Sequence, residues 1–190
     1  MTSFEFFTVL LSFVISIGVA SLLQSVIRLL QENDRVRFSL SWALWAAVIF
    51  YAQVIFWLRA WSYSEGFTLR VVTSVPPLIL AIIAFIACGL ATPRVPAEGP
   101  IDLKAFHAAQ GRKYQLAYAA YMIVAIVQGA LMIEQPFSDP GFQLDTAIQV
   151  AMALASIACA TFSRATWLQI AVPALLLVSV IPYYSRLMDA

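Results

Sequence analysis

The stretch TSVPPLILAIIAFIACG, residues 73–89, decides the fold. No charged residue lies between Arg70 and Arg94, so the apolar run is long enough to cross a bilayer core of about 30 Å at about 1.5 Å per helical residue. The run opens on two adjacent prolines, Pro76 and Pro77. If Ser74 caps a helix beginning near Val75, the pair occupies a first turn, where a missing N–H costs nothing. If the helix starts earlier, the pair interrupts it. Pro173 differs: the residues after it in the last apolar run are too few to cross, so it is expected to interrupt that span.

Working outward from this stretch, apolar runs recur near residues 5–30, 39–60, 70–92, 114–133, 145–163 and 166–186. Across 190 residues, 62% are hydrophobic and 11% charged, against about a quarter charged in soluble domains. Mean hydropathy is +0.87. The expected fold is all-α: one integral membrane domain over residues 1–190, a polytopic bundle of six transmembrane helices. The opening MTSFEFF holds Glu5 and no basic residue, unlike the n-region of a secretory signal, so the first span is expected to remain in the mature protein.

The apolar runs name the lipid bilayer as the main partner, and a net charge of +1 gives no reason to expect nucleic acid. A homo-oligomer or a membrane-complex partner remains open. With both termini on one side, Arg59, Arg70 and Arg186 gather there. Arg28, Arg35, Arg37, Arg94, Lys104, Arg112, Lys113 and Arg164 gather opposite. Positive residues favour the cytoplasm, so the termini are expected on the outer, periplasmic side of a cell inner membrane, together with the acidic segment holding Glu134, Asp139 and Asp145. Trp42 and Trp45 at the inner end of span two, and Trp57, Trp61 and Tyr63 at its outer end, are expected to form interface belts.

The segment TPRVPAEGPIDLKAFHAAQGRKYQ is expected to be a cytoplasmic interfacial loop over 93–113. In it, Asp102 caps a short helix from about Leu103 that feeds span four. His107, the only histidine, is expected to face lipid headgroups. With a single histidine, paired-histidine haem ligation and the usual His-based zinc or di-iron sites are excluded on this chain. Cys88 and Cys159 fall inside apolar runs and read as small buried hydrophobes. No catalytic motif is evident, and no ionisable residue lies at mid-span to suggest a proton relay or voltage sensor. No enzyme activity, cofactor or metal is therefore expected.

What remains at depth is neutral and polar. Ser12, Ser16, Ala20 and Gln24 recur every four residues and form one stripe on the first helix, which suits either helix packing or a solute path. Gln53, Gln128 and Gln149 add amides that each need a partner, since an unpaired buried amide costs about 2–7 kcal/mol. Tyr114, Tyr118 and Tyr121 share one helix face, and an interface belt accounts for the first two better than the third. Aligning SVPPLILAII with AVPALLLVSV, and SLLQSVIRLL with AIVQGALMIE, sets Pro76 against Pro173 and Gln24 against Gln128. That alignment allows a 3+3 inverted repeat of the kind found in transporters. The expected function is a small channel or transporter for an ion or small solute, its path lined by Ser16, Gln24, Pro76, Pro77, Gln128 and Pro173. The alternative is a non-catalytic scaffold or sensor subunit of a larger membrane assembly.

The opening FEFFTVLLSFVISIGVASLLQSVIRLL, the RVRF loop, the tryptophan-rich second span and DLKAFHAAQGRKY together resemble a group of small bacterial multispanning inner-membrane proteins with no assigned activity. The likeness covers the first two thirds of the chain. It implies a location and transfers no functional residue.

Overall fold

The structure, a computed structural model, describes residues 3–62, 71–132, 138 and 140–188. Six helices run in chain order: α1 Ser3–Gln31, α2 Leu40–Ser62, α3 Val71–Ala91, α4 Leu103–Met132, α5 Pro140–Thr161 and α6 Thr166–Met188. The first five are long and apolar enough to cross a membrane, and α6 is apolar over Thr166–Ser179. The chain is an all-α bundle, as its apolar runs require. Trp61 (its side chain), Tyr63, Arg70, Glu134, Asp139 and Arg186 (its side chain), all used in the topology argument, lie outside the described residues.

Local chemistry sets several helix starts. Ser39 Oγ accepts the Trp42 amide at 3.4 Å, an N-cap for α2. Asp102 Oδ1 accepts the amides of Lys104 and Ala105, both at 2.9 Å, and α4 begins at Leu103 as the capping argument expects. The helix then runs without a break to Met132, so the expected interfacial piece and span four are one continuous helix. Pro140 opens α5 at a position whose N–H needs no intrahelical acceptor. Asp145 therefore sits inside α5, and not in a preceding loop.

Helix α3 begins at Val71, so helix precedes Pro76 and Pro77 and the pair lies within its second turn. Their missing N–H groups leave the carbonyls of Val72 and Thr73 without intrahelical donors. Pro173 lies two turns into α6 and leaves the backbone carbonyl of Gln169 in the same condition.

The connections at one end of the bundle are stitched together. Strand β1, Val36–Arg37, pairs in parallel with β2, Ile101–Asp102, in the register Val36 to Ile101 and Arg37 to Asp102. Arg35 ties the α3–α4 connection down, donating to Gly99 O at 3.0 Å and 2.8 Å and to Pro96 O at 3.1 Å, while Glu32 holds it at 2.9 Å. Gly99 adopts φ +90°, a conformation that glycine enters without steric penalty. Patterning misses this ladder, because two-residue strands carry no periodicity.

In the bundle, α1 packs on α3, α3 and α5 flank α4, and α2 meets α6. The most enclosed helix is α2, whereas α1 and α5 turn most of their surface outward. Among the described residues the two halves pair their helices differently: α1 lies mainly against α3, while α4 within its own half lies mainly against α5. The helix packing does not reproduce the 3+3 correspondence that the alignment allowed.

Candidate functional site

Helices α2, α4, α5 and α6 enclose a cavity of about 50 Å3, room for a few waters or a small solute at about 10–15 Å3 per water. Most of the wall is apolar, from residues such as Val48, Ile55, Met122 and Leu176. The polar groups are few and placed in order along the helices. At one end Arg59 Nη2 donates to Asp145 Oδ2 at 2.9 Å, joining α2 to α5. One turn further along α5 comes Gln149, whose carbonyl oxygen is buried with no hydrogen-bond partner. Tyr121 donates to the Ala52 carbonyl at 3.3 Å, and the Tyr118 hydroxyl reaches Met152 Sδ at 3.9 Å.

Beyond Tyr118, the same face of α4 continues as an aromatic and polar plug. The Tyr118 and Tyr121 rings stack at 6.3 Å, Trp45 of α2 sits edge-on to Tyr118 at 6.1 Å, and Tyr114 lies 6.4 Å from Trp45. All three tyrosines are buried, so none belongs to an interface belt. The same correction holds for the inner tryptophans: Trp45 is fully buried, and Trp42 is buried with its indole N–H donating to Ala91 O at 2.9 Å. Of the outer pair, Trp57 is exposed and its ring N–H reaches Ser12 Oγ at 3.3 Å.

Below Tyr114 a hydrogen-bond network joins α4, α5 and α6. Gln169 Nε2 donates to Cys159 O at 2.7 Å, satisfying a carbonyl in the last turn of α5 that has no intrahelical donor. That bond fixes the amide orientation, so Gln169 Oε1 faces α4 and accepts from Gln115 Nε2 at 2.6 Å. His107 Nε2 lies 3.2 Å from the same oxygen. Since that oxygen only accepts, the neutral imidazole carries its proton on Nε2, and Nδ1 accepts from the Tyr114 hydroxyl. Ser156 Oγ adds a bond to Gln115 O at 2.7 Å. His107 is thus a half-buried, doubly bonded member of the core, and the headgroup-facing expectation is corrected.

Gly111 makes this geometry accessible. His107, Gly111 and Tyr114 share a face at i, i+4 and i+7, and a Cβ on Gly111 would lie 3.3 Å from the imidazole and 3.6 Å from the Tyr114 hydroxyl. With hydrogen at that position, the ring has room to reach Tyr114.

No protein-family model, curated protein or solved structure matches this chain. The geometry therefore stands alone as the basis for function.

The residues expected to line a path do not converge. Ser16 and Gln24 face outward from α1, while Pro76, Pro77, Gln128 and Pro173 are buried on three other helices. None of the six borders the cavity between α2, α4, α5 and α6. Of the other amides, Gln53 donates to Cys88 Sγ at 3.3 Å, and the carbonyl oxygens of Gln53, Gln115 and Gln128 are buried without partners. Cys88 and Cys159 are buried free thiols, as their sequence setting suggested. Gln115 and Gln169 carry no signal in the sequence beyond being amides in apolar runs, so their pairing is not legible there. Among the described residues, no three His, Cys, Asp or Glu side chains converge as metal ligands.

Proposed function

We propose that this chain is a non-catalytic inner-membrane protein that passes a small solute through the cavity between α2, α4, α5 and α6. The observation that carries the reading is Gln149, which lines the cavity together with Arg59 and whose buried carbonyl oxygen has no hydrogen-bond partner. A buried acceptor without a donor costs about 1–3 kcal/mol, and a solute or water that brings an N–H or O–H recovers it. The lining suits a small, largely apolar solute with at least one hydrogen-bond donor. In this reading the Trp45, Tyr114 and Tyr118 rings and the His107–Gln169–Gln115 network form the closed inner gate. The termini lie on the periplasmic side, following the arginine and lysine distribution.

Flux of small alcohols, amides and monovalent ions into liposomes holding the purified chain tests this reading. The expected result is flux that Gln149→Leu reduces about tenfold or more, while Gln24→Leu leaves it intact. Absence of flux for every probe removes the reading. A scaffold or sensor subunit is the second reading, favoured by the exposed polar groups of α1, Ser16 and Gln24. Crosslinking from position 16 to another protein, with no flux, is its signature.

A further inference from the structure

We infer that the end of the bundle formed by α1 and the C-terminus of α3 binds the headgroup phosphate of an anionic phospholipid. An open, half-polar cavity of about 370 Å3 lies there, lined by Ser21, Gln24, Ser25, Arg28, Thr92 and Arg94 together with Pro93 and Val95. It is separate from the cavity between α2, α4, α5 and α6, and it does not depend on the transport reading.

The charge balance of this cavity is one-sided. Among the described residues, neither Arg28 nor Arg94 meets a carboxylate, and the nearest acid along α1, Glu32, is engaged by Arg35 at 2.9 Å. The end of a helix normally presents carbonyl acceptors, and here one of those, together with the carbonyl of Pro93 just past the helix, is already taken. Thr92 Oγ1 donates to Cys88 O at 2.8 Å, and Ser25 Oγ donates to Pro93 O at 3.3 Å. Ser21 lies 3.5 Å from Thr92 Oγ1, whose proton is committed to Cys88, so Ser21 supplies the proton of that contact. Arg28, Arg94 and Gln24 line the cavity, and their guanidinium and amide N–H groups are donors suited to a phosphate oxygen.

The surface beside the cavity commits the ligand to a lipid and not to a free anion. Below Gln24, at i−4, i−7 and i−11, α1 exposes Ala20, Ile17 and Phe13. Below Gly89, at i−4 and i−7, α3 exposes Phe85 and Ile82, and a Cβ on Gly89 would meet nothing within 4 Å. Acyl chains attached to a phosphate held by Arg28 and Arg94 would therefore lie along an exposed apolar face. Arginines at the cytoplasmic leaflet, where anionic lipids concentrate, fit the same pattern.

The test is lipid retention by the detergent-purified full chain, read by native mass spectrometry after titration with phosphatidylglycerol, phosphatidylcholine or inorganic phosphate. The expected result is about tenfold preferential retention of phosphatidylglycerol over phosphatidylcholine. The Arg28→Gln, Arg94→Gln double variant loses that preference, and Arg28→Lys, Arg94→Lys keeps most of it. Arg164→Gln, at the exposed α5–α6 turn, removes an arginine away from the cavity and retains it. Retention of phosphatidylglycerol unchanged in the double Gln variant overturns the proposal. So does displacement of the lipid by millimolar inorganic phosphate, which would identify a free-anion site.

Discussion

The imidazole of His107 meets the side-chain oxygen of Gln169 at 3.2 Å, linking the first turns of α4 and α6 across 62 residues of sequence. The same oxygen takes Gln115, and the same amide caps α5, so one glutamine side chain holds three helices together.

Removing that glutamine is expected to cost more than one bond, because it strands the Gln115 donor, the His107 donor and the Cys159 carbonyl together. Gln169→Leu should destabilise the protein by about 2–4 kcal/mol, at about 1–3 kcal/mol for each buried group left unpaired and with partial relaxation. His107→Phe should cost less. In reversible SDS unfolding, the double variant should show a coupling of about 1 kcal/mol or more between the two sites. Strict additivity would mean that the two side chains do not share a network.

Gly111→Ala sets two effects against each other. Alanine is favoured over glycine in a helix by about 1 kcal/mol. Its Cβ would crowd the His107 ring at 3.3 Å, and the ring is held on both nitrogens. The expected net effect on stability is near zero or unfavourable. A full gain of about 1 kcal/mol in the same unfolding assay would show that the ring gives way freely.

The Arg59–Asp145 pair is 25% and 35% exposed, so solvent screens it and its worth is modest, about 1 kcal/mol or below. Arg59→Met and Asp145→Asn should each cost about that much. Raising salt toward 1 M should shrink the difference from wild type, since the screening length falls to about 3 Å. If either variant abolishes folding, the pair is more deeply buried than its exposure indicates.

At the start of α4, the amides of Ala105 and Lys104, followed by the Arg37 guanidinium, hold the Asp102 carboxyl below the usual carboxylate range. The unfolded chain then binds this proton more readily than the folded one. The cap's contribution is present above the unfolded pKa of about 3.9 and is lost as pH falls through the lower folded value. Asp102→Asn should flatten the acid limb of thermal stability below about pH 4 and leave the neutral range little changed, since asparagine also caps. A wild-type acid limb retained in that variant would assign it to other carboxylates.

Single substitution of Gln149 separates function from stability. Gln149→Leu removes a buried carbonyl oxygen that has no partner and replaces it with an apolar group of similar volume. Stability should hold or rise by about 1 kcal/mol, while any flux through the cavity falls. A clear loss of stability would show that the amide is structural.

The class of the protein, the existence of six helices, the cap at Asp102 and the burial of both cysteines are legible in the chain before it folds. Length and hydropathy suffice for this, because a segment without charges between Arg70 and Arg94 has few other places to reside. Which face of each helix looks inward emerges with helix packing. In a soluble helix, the contrast between apolar core and polar solvent writes that answer into the periodicity, but lipid tails and protein core are equally apolar. Thus α1 exposes Phe13, Ile17 and Ile27 while burying Leu11, Ile15 and Leu22, and nothing in their chemistry distinguishes the two sets. For the same reason the regular stripe of Ser16 and Gln24 could turn outward, and Trp45 could turn into the core. His107, Gln115 and Gln169 could likewise meet across long stretches of chain, because buried polar groups in a bilayer find their partners in space and leave no periodic trace in the sequence.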